Sequence, residues 1–282
     1  GEHFHQKFDI PFENIGVITG PCHAEEVALE RLSYLTIACG DRSKARVVAK
    51  VLASNYIKTK ISDDIIGTEY AAMLKNIYAI AAGIAHGLGY GDNFQSVIMS
   101  NAIREMKKFI RKVHKMKRNI NNSAYLGDLL VTGYSVFSRN RMFGNMIGKG
   151  YTVKSAQMEM SMVAEGYYAV KSAYKLNQEY GADTPIIDAV YQILYENKEA
   201  KAVFKKLTDL GDFLGIVCTA FAFIAAVDVV KHLGAFTVSL TINLEPIYTM
   251  VFAVFLLAEH KSLGLGFYGC TLLIVGVLFL NA

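Results

Sequence analysis

The sequence has 282 residues, 52% of them hydrophobic, and a formal net charge of +4 at pH 7. A chain of this length accommodates one large or two ordinary domains. A positive charge this small suits anionic small molecules and argues against a nucleic-acid-binding protein. The four cysteines are Cys22, Cys39, Cys218 and Cys270. They have no CxxC spacing, which predicts a reduced, cytosolic protein without a metal site.

Charged residues are distributed unevenly along the chain. After residue 212 the charged side chains are Asp228, Lys231, Glu245, Glu259 and Lys261. The first residues, GEHFHQKFD, contain no apolar run of the kind found in signal peptides. A chain that starts with glycine is also expected to be a fragment. We predict three parts, at residues 1–66, 67–211 and 212–282.

Residues 1–66 alternate short apolar runs with stretches of helical periodicity. Strands are predicted at 14–19 and 33–39, with one or two more within 56–66, and helices at 24–31 and about 42–54. Asp41 is positioned to cap the second helix, whose inner face is expected to carry Val47, Val48, Val51 and Leu52. This alternation resembles the end of a nucleotide-binding domain, and it predicts a truncated α/β remnant of a Rossmann fold.

From residue 67 onward the apolar periodicity is helical and predicts an all-helical domain, so the chain as a whole is expected to be mainly α. The first helix, with Thr68 as its N-cap, is apolar and rich in small residues but carries one ammonium group, on Lys75. Such a lysine either reaches water along its aliphatic stem or is held by partners that give it a chemical role. Both interpretations stay open on this helix alone.

Caps and periodicity indicate further helices in this domain. They are predicted at about 93–116, 139–148, 152–160, 165–180, 186–196 and 198–210. Asn93, Ser138 and Thr184 are the expected N-caps, and Gly181 is expected to close the helix at 165–180. The basic end of the 93–116 helix, KKFIRKVHKMKR, is interpreted as a solvated helix end. The run GLGYG at 87–91 is interpreted as a tight turn between two helices.

The predicted helix start at Arg139 is a candidate anion site. With Ser138 as cap, the first N–H groups and the helix dipole would face an anion. Arg139 adds a guanidinium group and Asn140 an amide at the same end. An ordinary polar helix start contains the same residues and is the alternative.

Residues 213–282 contain three apolar stretches, at 213–230, 235–258 and 263–280. Each approaches the roughly 20 residues needed to cross a bilayer, so three transmembrane helices are predicted. The run Gly264-x-Gly266-x-x-Gly269 formally matches a dinucleotide fingerprint. It lies inside the third apolar stretch and follows no predicted strand, so we interpret it as fortuitous.

Five short motifs follow one another along the first 210 residues. They are GPCHAEE at 20–26, LKNIYAIAAGIAHGLGYGDN at 74–93, LGDL at 126–129, SRNRMFG at 138–144 and VAEG at 163–166. In this order they resemble the substrate domain of bacterial-type NAD(P)-dependent glycerol-3-phosphate dehydrogenases, over about residues 13–210. The resemblance implies a cytoplasmic oxidoreductase that uses NAD or NADP. It would interconvert dihydroxyacetone phosphate and sn-glycerol 3-phosphate for glycerophospholipid synthesis, and a homodimer is a further expectation.

The resemblance also implies roles for individual residues. Lys75 would be the proton acceptor, and Asp128 would bind substrate near it. The other implied substrate contacts are Gly20, Cys22, Ser138, Arg139 and Asn140, and the implied cofactor contacts are Ala24, Arg139, Val163 and Glu165. The family usually has Ser or Thr where this chain has Cys22, so a hydroxyl hydrogen bond is not expected there.

The runs CTAFAF, LGAFTVSLTINLEPIYTMVFAVFLLAEH and FYGCTLLIVGVLFLN resemble the last three helices of an EamA-type drug/metabolite transporter, over residues 214–281. This resemblance implies a C-terminal segment in the inner (plasma) membrane. The leading hypothesis is a glycerol-3-phosphate dehydrogenase that is inactive as this chain. No strand–GxGxxG–helix unit is predicted, and the family's second substrate-binding lysine before the GP motif is missing. The alternatives are a membrane transport protein, or a non-functional chimera of the two.

Overall fold

The computed structural model describes residues 2–160 and 162–209 of the chain. The strands are β1 (Gly16–Thr19), β2 (Ser33–Cys39) and β3 (Ile57–Ser62). The helices are α1 (Glu2–Phe8), α2 (Ala24–Ala28), α3 (Arg42–Leu52), α4 (Ile65–Gly87), α5 (Asp92–Val113), α6 (Asp128–Tyr134), α7 (Arg139–Gly148), α8 (Val153–Glu159), α9 (Glu165–Tyr180), α10 (Pro185–Tyr195) and α11 (Ala200–Asp209). A 3₁₀ turn lies at Phe12–Asn14, and a π-helical turn lies at Ser123–Gly127. The prediction of a mainly helical protein with a small α/β part is confirmed.

The sheet has β2 as its central strand. β1 runs antiparallel to β2, with Gly16 opposite Cys39, and β3 runs parallel to β2. On one face, Ile37 and Cys39 pack with Ala45 and Ala49 of α3 in a small separate core. β1 also contacts α4, so the chain that leaves β1 lies close to the helical part.

The predicted inner face of α3 is largely wrong. Val47 is 62% exposed and Val51 79%, whereas Ala45 is only 1% exposed. Val48 is exposed as well, and only Leu52 of the predicted set packs against the small core. The side of α3 that faces the sheet carries small residues, because alanine lets the helix backbone lie close to the strands. The prediction assumes that the larger apolar side chains of α3 face inward. It therefore selects a side of the helix that points away from the sheet.

The helical part is built around α4. Every residue of this helix from Ile77 to Ala85 is buried. Its apolar side chains share one core with Phe109 of α5, Phe143 of α7 and Ile187 of α10. A helix that is apolar on all sides is expected to be surrounded by other elements, and α4 contacts α5, α6, α7, α9 and α10.

Glycines allow α4 and α7 to cross at very short distance. A Cβ atom on Gly83 of α4 would lie 2.1 Å from the carbonyl oxygen of Arg141. A Cβ atom on Gly144 of α7 would lie 2.1 Å from the carbonyl oxygen of Ile80. The small residues that the sequence shows on α4 therefore bring the backbone of α7 against it.

Two predicted helix starts differ from those observed. The carboxylate of Asp64 caps α4 by accepting the N–H of Gly67 at 3.0 Å. Thr68 lies inside the first turn, where its hydroxyl donates to the carbonyl oxygen of Asp64 at 2.8 Å. At α5 the N-cap is Gly91, which supplies no side-chain hydrogen bond, and Asn93 is already inside the helix.

The start of α10 is capped from a different helix. Pro185 occupies the first helical position, as the sequence predicts, but Thr184 makes no side-chain cap hydrogen bond. Its hydroxyl instead accepts from the side-chain amide of Asn177 at 2.8 Å. The buried carboxyl group of Glu105, on α5, accepts the N–H groups of Ile186 at 2.8 Å and Ile187 at 3.0 Å. These are two of the donors that a helix leaves without intrahelical partners.

The three predicted transmembrane helices, at 213–230, 235–258 and 263–280, lie outside the described residues. Within residues 2–160 and 162–209, no helix combines the length and apolar character needed to span a bilayer.

Candidate active site

The ammonium group of Lys75 is held by the carboxylate of Asp128. Lys75 Nζ lies 2.7 Å from Oδ1 and 2.8 Å from Oδ2 of Asp128. Asp128 is the first residue of α6, and its side chain is only 3% exposed, whereas that of Lys75 is 22% exposed. Of the two interpretations of Lys75 left open by the sequence, the structure therefore shows the partnered lysine.

Two further contacts hold Asp128 in place. The backbone N–H of Gly20, in the turn after β1, donates to Oδ2 of Asp128 at 3.2 Å. Gly20 has φ +132°, and a Cβ atom there would lie 2.4 Å from the carbonyl oxygen of Tyr34. The hydroxyl of Thr132, one turn later in α6, donates to the carbonyl oxygen of Asp128 at 2.6 Å. Glycine at position 20 therefore lets the α/β part reach the carboxylate that Lys75 also binds.

The start of α7 forms a second polar cluster. Ser138 is buried, and its hydroxyl accepts the N–H of Arg141 at 3.3 Å as the N-cap. The side-chain oxygen of Asn140 accepts the N–H of Gly166 at 2.8 Å, which joins α7 to the first turn of α9. Arg139 Nη1 lies 3.3 Å from Oε1 of Glu165.

These two clusters meet on the same turn of α4. A Cβ atom on Gly166 would lie 2.7 Å from the carbonyl oxygen of Asn76 and 2.9 Å from the side-chain oxygen of Asn140. Asn76 directly follows Lys75 along α4. The start of α7 and the start of α9 therefore pack beside the turn of α4 that carries the ammonium group.

The two ion pairs of the site differ in exposure. The Lys75–Asp128 pair is mostly buried, whereas the side chains of Arg139 and Glu165 are 42% and 55% exposed. An exposed pair contributes at most about 1 kcal/mol, since solvent screens it. An incoming anion can therefore replace Glu165 at the Arg139 guanidinium at little cost, while Asp128 stays on Lys75.

The remaining predicted site residues are partly or fully exposed. Cys22 is half-buried with a free thiol, two residues after Gly20. Ala24, Val163 and Glu165 are exposed. The sequence prediction did not assign roles to Thr132 and Gly166. Gly166 does lie in the VAEG motif, where a glycine in the first turn of a helix signals close approach of another chain segment.

The fold and site define a helical domain in which a serine-capped helix start, α7, lies beside a lysine paired with an aspartate. A model of the family described as "NAD-dependent glycerol-3-phosphate dehydrogenase C-terminus" matches residues 64–205. The chain belongs to this family of oxidoreductases. A second family model, the EamA-like transporter family, matches residues 204–282.

Curated relatives agree with this family. A glycerol-3-phosphate dehydrogenase [NAD(P)+] of Exiguobacterium is 40% identical over 193 residues, which are 68% of this chain and 57% of the relative. The enzyme of Oceanobacillus iheyensis is 36% identical over 210 residues, which are 74% of this chain and 61% of the relative. The chain thus spans about three fifths of the length of these relatives.

A solved structure shows the same fold. The crystal structure of glycerol-3-phosphate dehydrogenase from Coxiella burnetii aligns with a TM-score of 0.67 at 30% identity. The alignment covers 68% of this chain and 59% of that chain.

Proposed function

We propose that the chain supplies the substrate-binding and proton-transferring part of a glycerol-3-phosphate dehydrogenase. It would bind dihydroxyacetone phosphate and sn-glycerol 3-phosphate in the cytoplasm. The observation that carries the proposal is the two-point contact of Lys75 with Asp128 beside the capped start of α7. A homodimer remains a prediction.

In this proposal the start of α7 holds the phosphate. Ser138 takes up the N–H of Arg141, which leaves the N–H groups of Arg139 and Asn140 without partners inside the helix. Together with the guanidinium group of Arg139 they present donors and positive charge at one helix end. The phosphate would displace Glu165 from Arg139, and the three-carbon chain would then extend along α4 towards Lys75.

Lys75 would act on the oxygen of the reacting carbon. When the ketone is reduced, negative charge develops on this oxygen, and a positioned ammonium group stabilises the charge and donates a proton. In the reverse direction the neutral amine accepts the proton from the alcohol. Asp128 keeps Nζ oriented through both carboxylate oxygens.

NAD or NADP would supply the hydride, but the residues that the structure describes do not form a site for the whole dinucleotide. Residues 2–160 and 162–209 contain no strand–GxGxxG–helix unit of the kind that holds a pyrophosphate. Only the part of the cofactor nearest the substrate would be contacted, by Arg139, Val163, Glu165 and Ala24.

Ligand binding tests this proposal without any turnover. We expect the full chain, in a non-ionic detergent, to bind sn-glycerol 3-phosphate more tightly than glycerol in isothermal titration calorimetry. Arg139→Met should weaken binding at least about tenfold, because hydrogen bonds to charged groups are worth about 1.5–3 kcal/mol. The matched control is Arg111→Met, which removes an exposed cation from the last turn of α5. Equal affinity of the wild type and Arg139→Met would contradict the proposal.

We further propose that residues 212–282 insert into the inner (plasma) membrane, on the strength of the EamA-like match at 204–282. The full chain is then expected to remain in the membrane pellet after an alkaline carbonate wash and to require detergent for extraction. A cytosolic protein of the host, released by the same wash, is the control. Recovery of the full chain in the supernatant without detergent would contradict membrane insertion.

A further inference from the structure

A buried ion pair outside the substrate cluster holds the start of α4. The guanidinium group of Arg118 donates to Asp64 through Nε to Oδ2 at 2.6 Å and through Nη2 to Oδ1 at 3.0 Å. The hydroxyl of Tyr125 donates to the same carboxylate, and so does the N–H of Gly67. The side chains of Arg118 and Asp64 are 7% and 5% exposed.

The contacts within this cluster favour the charged forms of Asp64 and Arg118 and the neutral form of Tyr125. Burial alone would raise the pKa of Asp64, but the hydrogen bonds from Arg118 and Tyr125 outweigh it and lower the pKa. The hydrogen bond to Asp64 raises the pKa of Arg118, and burial together with the same carboxylate raises the pKa of Tyr125. Buried ion pairs of this kind are weak evidence for a contribution to stability, because desolvation offsets their attraction. A role in fixing one conformation is a better account of the cluster.

The three side chains come from three separate segments, and one of these segments leads directly to Asp128. Asp64 is the N-cap of α4, Arg118 lies in the connection after α5, and Tyr125 lies in the π-helical turn Ser123–Gly127. The turn runs directly into α6, whose first residue is Asp128. Tyr125 is therefore three residues, or about one helical turn, ahead of the carboxylate that binds Lys75. π-Helical turns are rare, short departures from the α-helix, and they are frequent at functional sites.

We propose that Arg118 and Tyr125 are positioning residues that hold the π-helical turn against the start of α4, so that the Asp128 carboxylate reaches Lys75 further along that helix. Without the Tyr125 contact, the turn is free to relax towards ordinary α-helical geometry. Such a change rotates the residues that follow it and moves Asp128 away from Nζ. The role for catalysis rests on the proposed function, but the geometric coupling between the two clusters does not.

The test uses the reactivity of the Lys75 amine in the full chain in detergent. An N-hydroxysuccinimide ester is applied for short times, and labelling of Lys75 is quantified by mass spectrometry relative to the exposed Lys149. Tyr125→Phe should raise Lys75 labelling about threefold to tenfold, the factor that corresponds to one lost hydrogen bond. Asp128→Asn sets the upper limit, because it removes the charge that holds the ammonium group.

The matched control is Tyr195→Phe. This variant also removes one tyrosine hydroxyl, which donates to the carbonyl oxygen of Tyr167 at 2.7 Å in α9. It should lower the urea midpoint as Tyr125→Phe does but leave Lys75 labelling unchanged. Arg118→Met is a second test with a larger expected effect, and Tyr125→Phe keeps the proposal testable if that variant does not fold.

Labelling of Lys75 at the wild-type rate in Tyr125→Phe would overturn the proposal. A rise of Lys75 labelling in Tyr195→Phe equal to that in Tyr125→Phe would overturn it as well. Binding of sn-glycerol 3-phosphate is measured separately on the same samples. If the wild-type chain does not bind sn-glycerol 3-phosphate but Lys75 labelling rises in Tyr125→Phe and not in Tyr195→Phe, only the proposed function is contradicted.

Discussion

Replacing Glu105 by glutamine is expected to flatten the dependence of the unfolding free energy on pH between about pH 4.5 and 8. Glu105 is 3% exposed and accepts the N–H groups of Ile186 and Ile187 at the start of α10. Burial is the main cause that raises the pKa of Glu105 from 4.5 to about 8, and the two backbone hydrogen bonds only partly oppose it. Complete burial, and after it the same carboxyl group, raises the pKa of the neighbouring Tyr78.

The sign of the effect follows from proton binding. Between pH 4.5 and 8 the folded chain keeps the proton on Glu105, while the unfolded chain releases it. The stabilisation is therefore fully present below about pH 4.5 and is lost as the pH rises through about 8. Since one pKa unit corresponds to about 1.36 kcal/mol, the loss across this range is on the order of 4 kcal/mol. Glutamine does not titrate, so this loss disappears in the variant.

The measurement is urea unfolding of the full chain in a non-ionic detergent at several pH values, followed by near-ultraviolet circular dichroism. The sequence contains no tryptophan, so the signal comes mainly from tyrosines. At pH 5 Glu105→Gln should be the less stable protein, because its amide nitrogen cannot accept one of the two N–H groups. The difference should narrow as the pH approaches 8. Glu199→Gln, at an exposed position, is the control, and parallel curves for Glu105→Gln and the wild type would refute the prediction.

Secondary structure was predictable wherever a segment carries its own start and stop signals. The bounds of β2, α7 and α9 follow from the sequence, because Ser138 caps α7 and Gly181 ends α9 in the left-handed conformation. Asp41 likewise caps α3 as predicted, through the N–H of Ser43. These signals act within a few residues, so neighbouring sequence is sufficient to recognise them.

Elements that depend on distant partners were missed. The π-helical turn at Ser123–Gly127 and the start of α6 have no regular apolar period, and the turn is tied to Asp64, which precedes Tyr125 by 61 residues. The cap of α10 comes from Glu105, which precedes Ile186 by 81 residues. A local pattern contains no information about such contacts, because the partner is selected by packing.

The candidate site was predictable only in part, for the same reason. Apolar periodicity placed Lys75 on a buried helix, but its contact with Asp128 joins residues 53 positions apart. Spacing alone cannot bring these two residues together, and the family resemblance supplied the pairing. Neither spacing nor resemblance indicated that Asn140 would accept the N–H of Gly166, because this contact depends on how α7 and α9 meet.

The 282-residue chain by itself is expected not to interconvert dihydroxyacetone phosphate and sn-glycerol 3-phosphate at a useful rate. In the proposed function a phosphorylated substrate would bind to Lys75, Asp128 and Arg139, but residues 2–160 and 162–209 provide no glycine-rich helix start for a dinucleotide. The run at Gly264–Gly269 matches that spacing only inside an apolar segment. Holding two reactants in position is worth roughly 7–11 kcal/mol of the barrier. Its absence should cost about five orders of magnitude or more in rate, which outweighs every intact side chain.

The test follows NADH absorbance with dihydroxyacetone phosphate for this chain and for a chimera. In the chimera, the part of the Exiguobacterium relative that precedes the match is fused to residues 13–209 of this chain. The chimera should turn over, and Lys75→Ala should abolish its activity, because the ammonium group that stabilises the developing charge is removed. An inactive but folded chimera would contradict the proposed role of this site. The contrary result would be a turnover rate of the 282-residue chain alone within about tenfold of that of the chimera, abolished by Lys75→Ala. Positioning of the hydride donor would then contribute far less than roughly 7 kcal/mol.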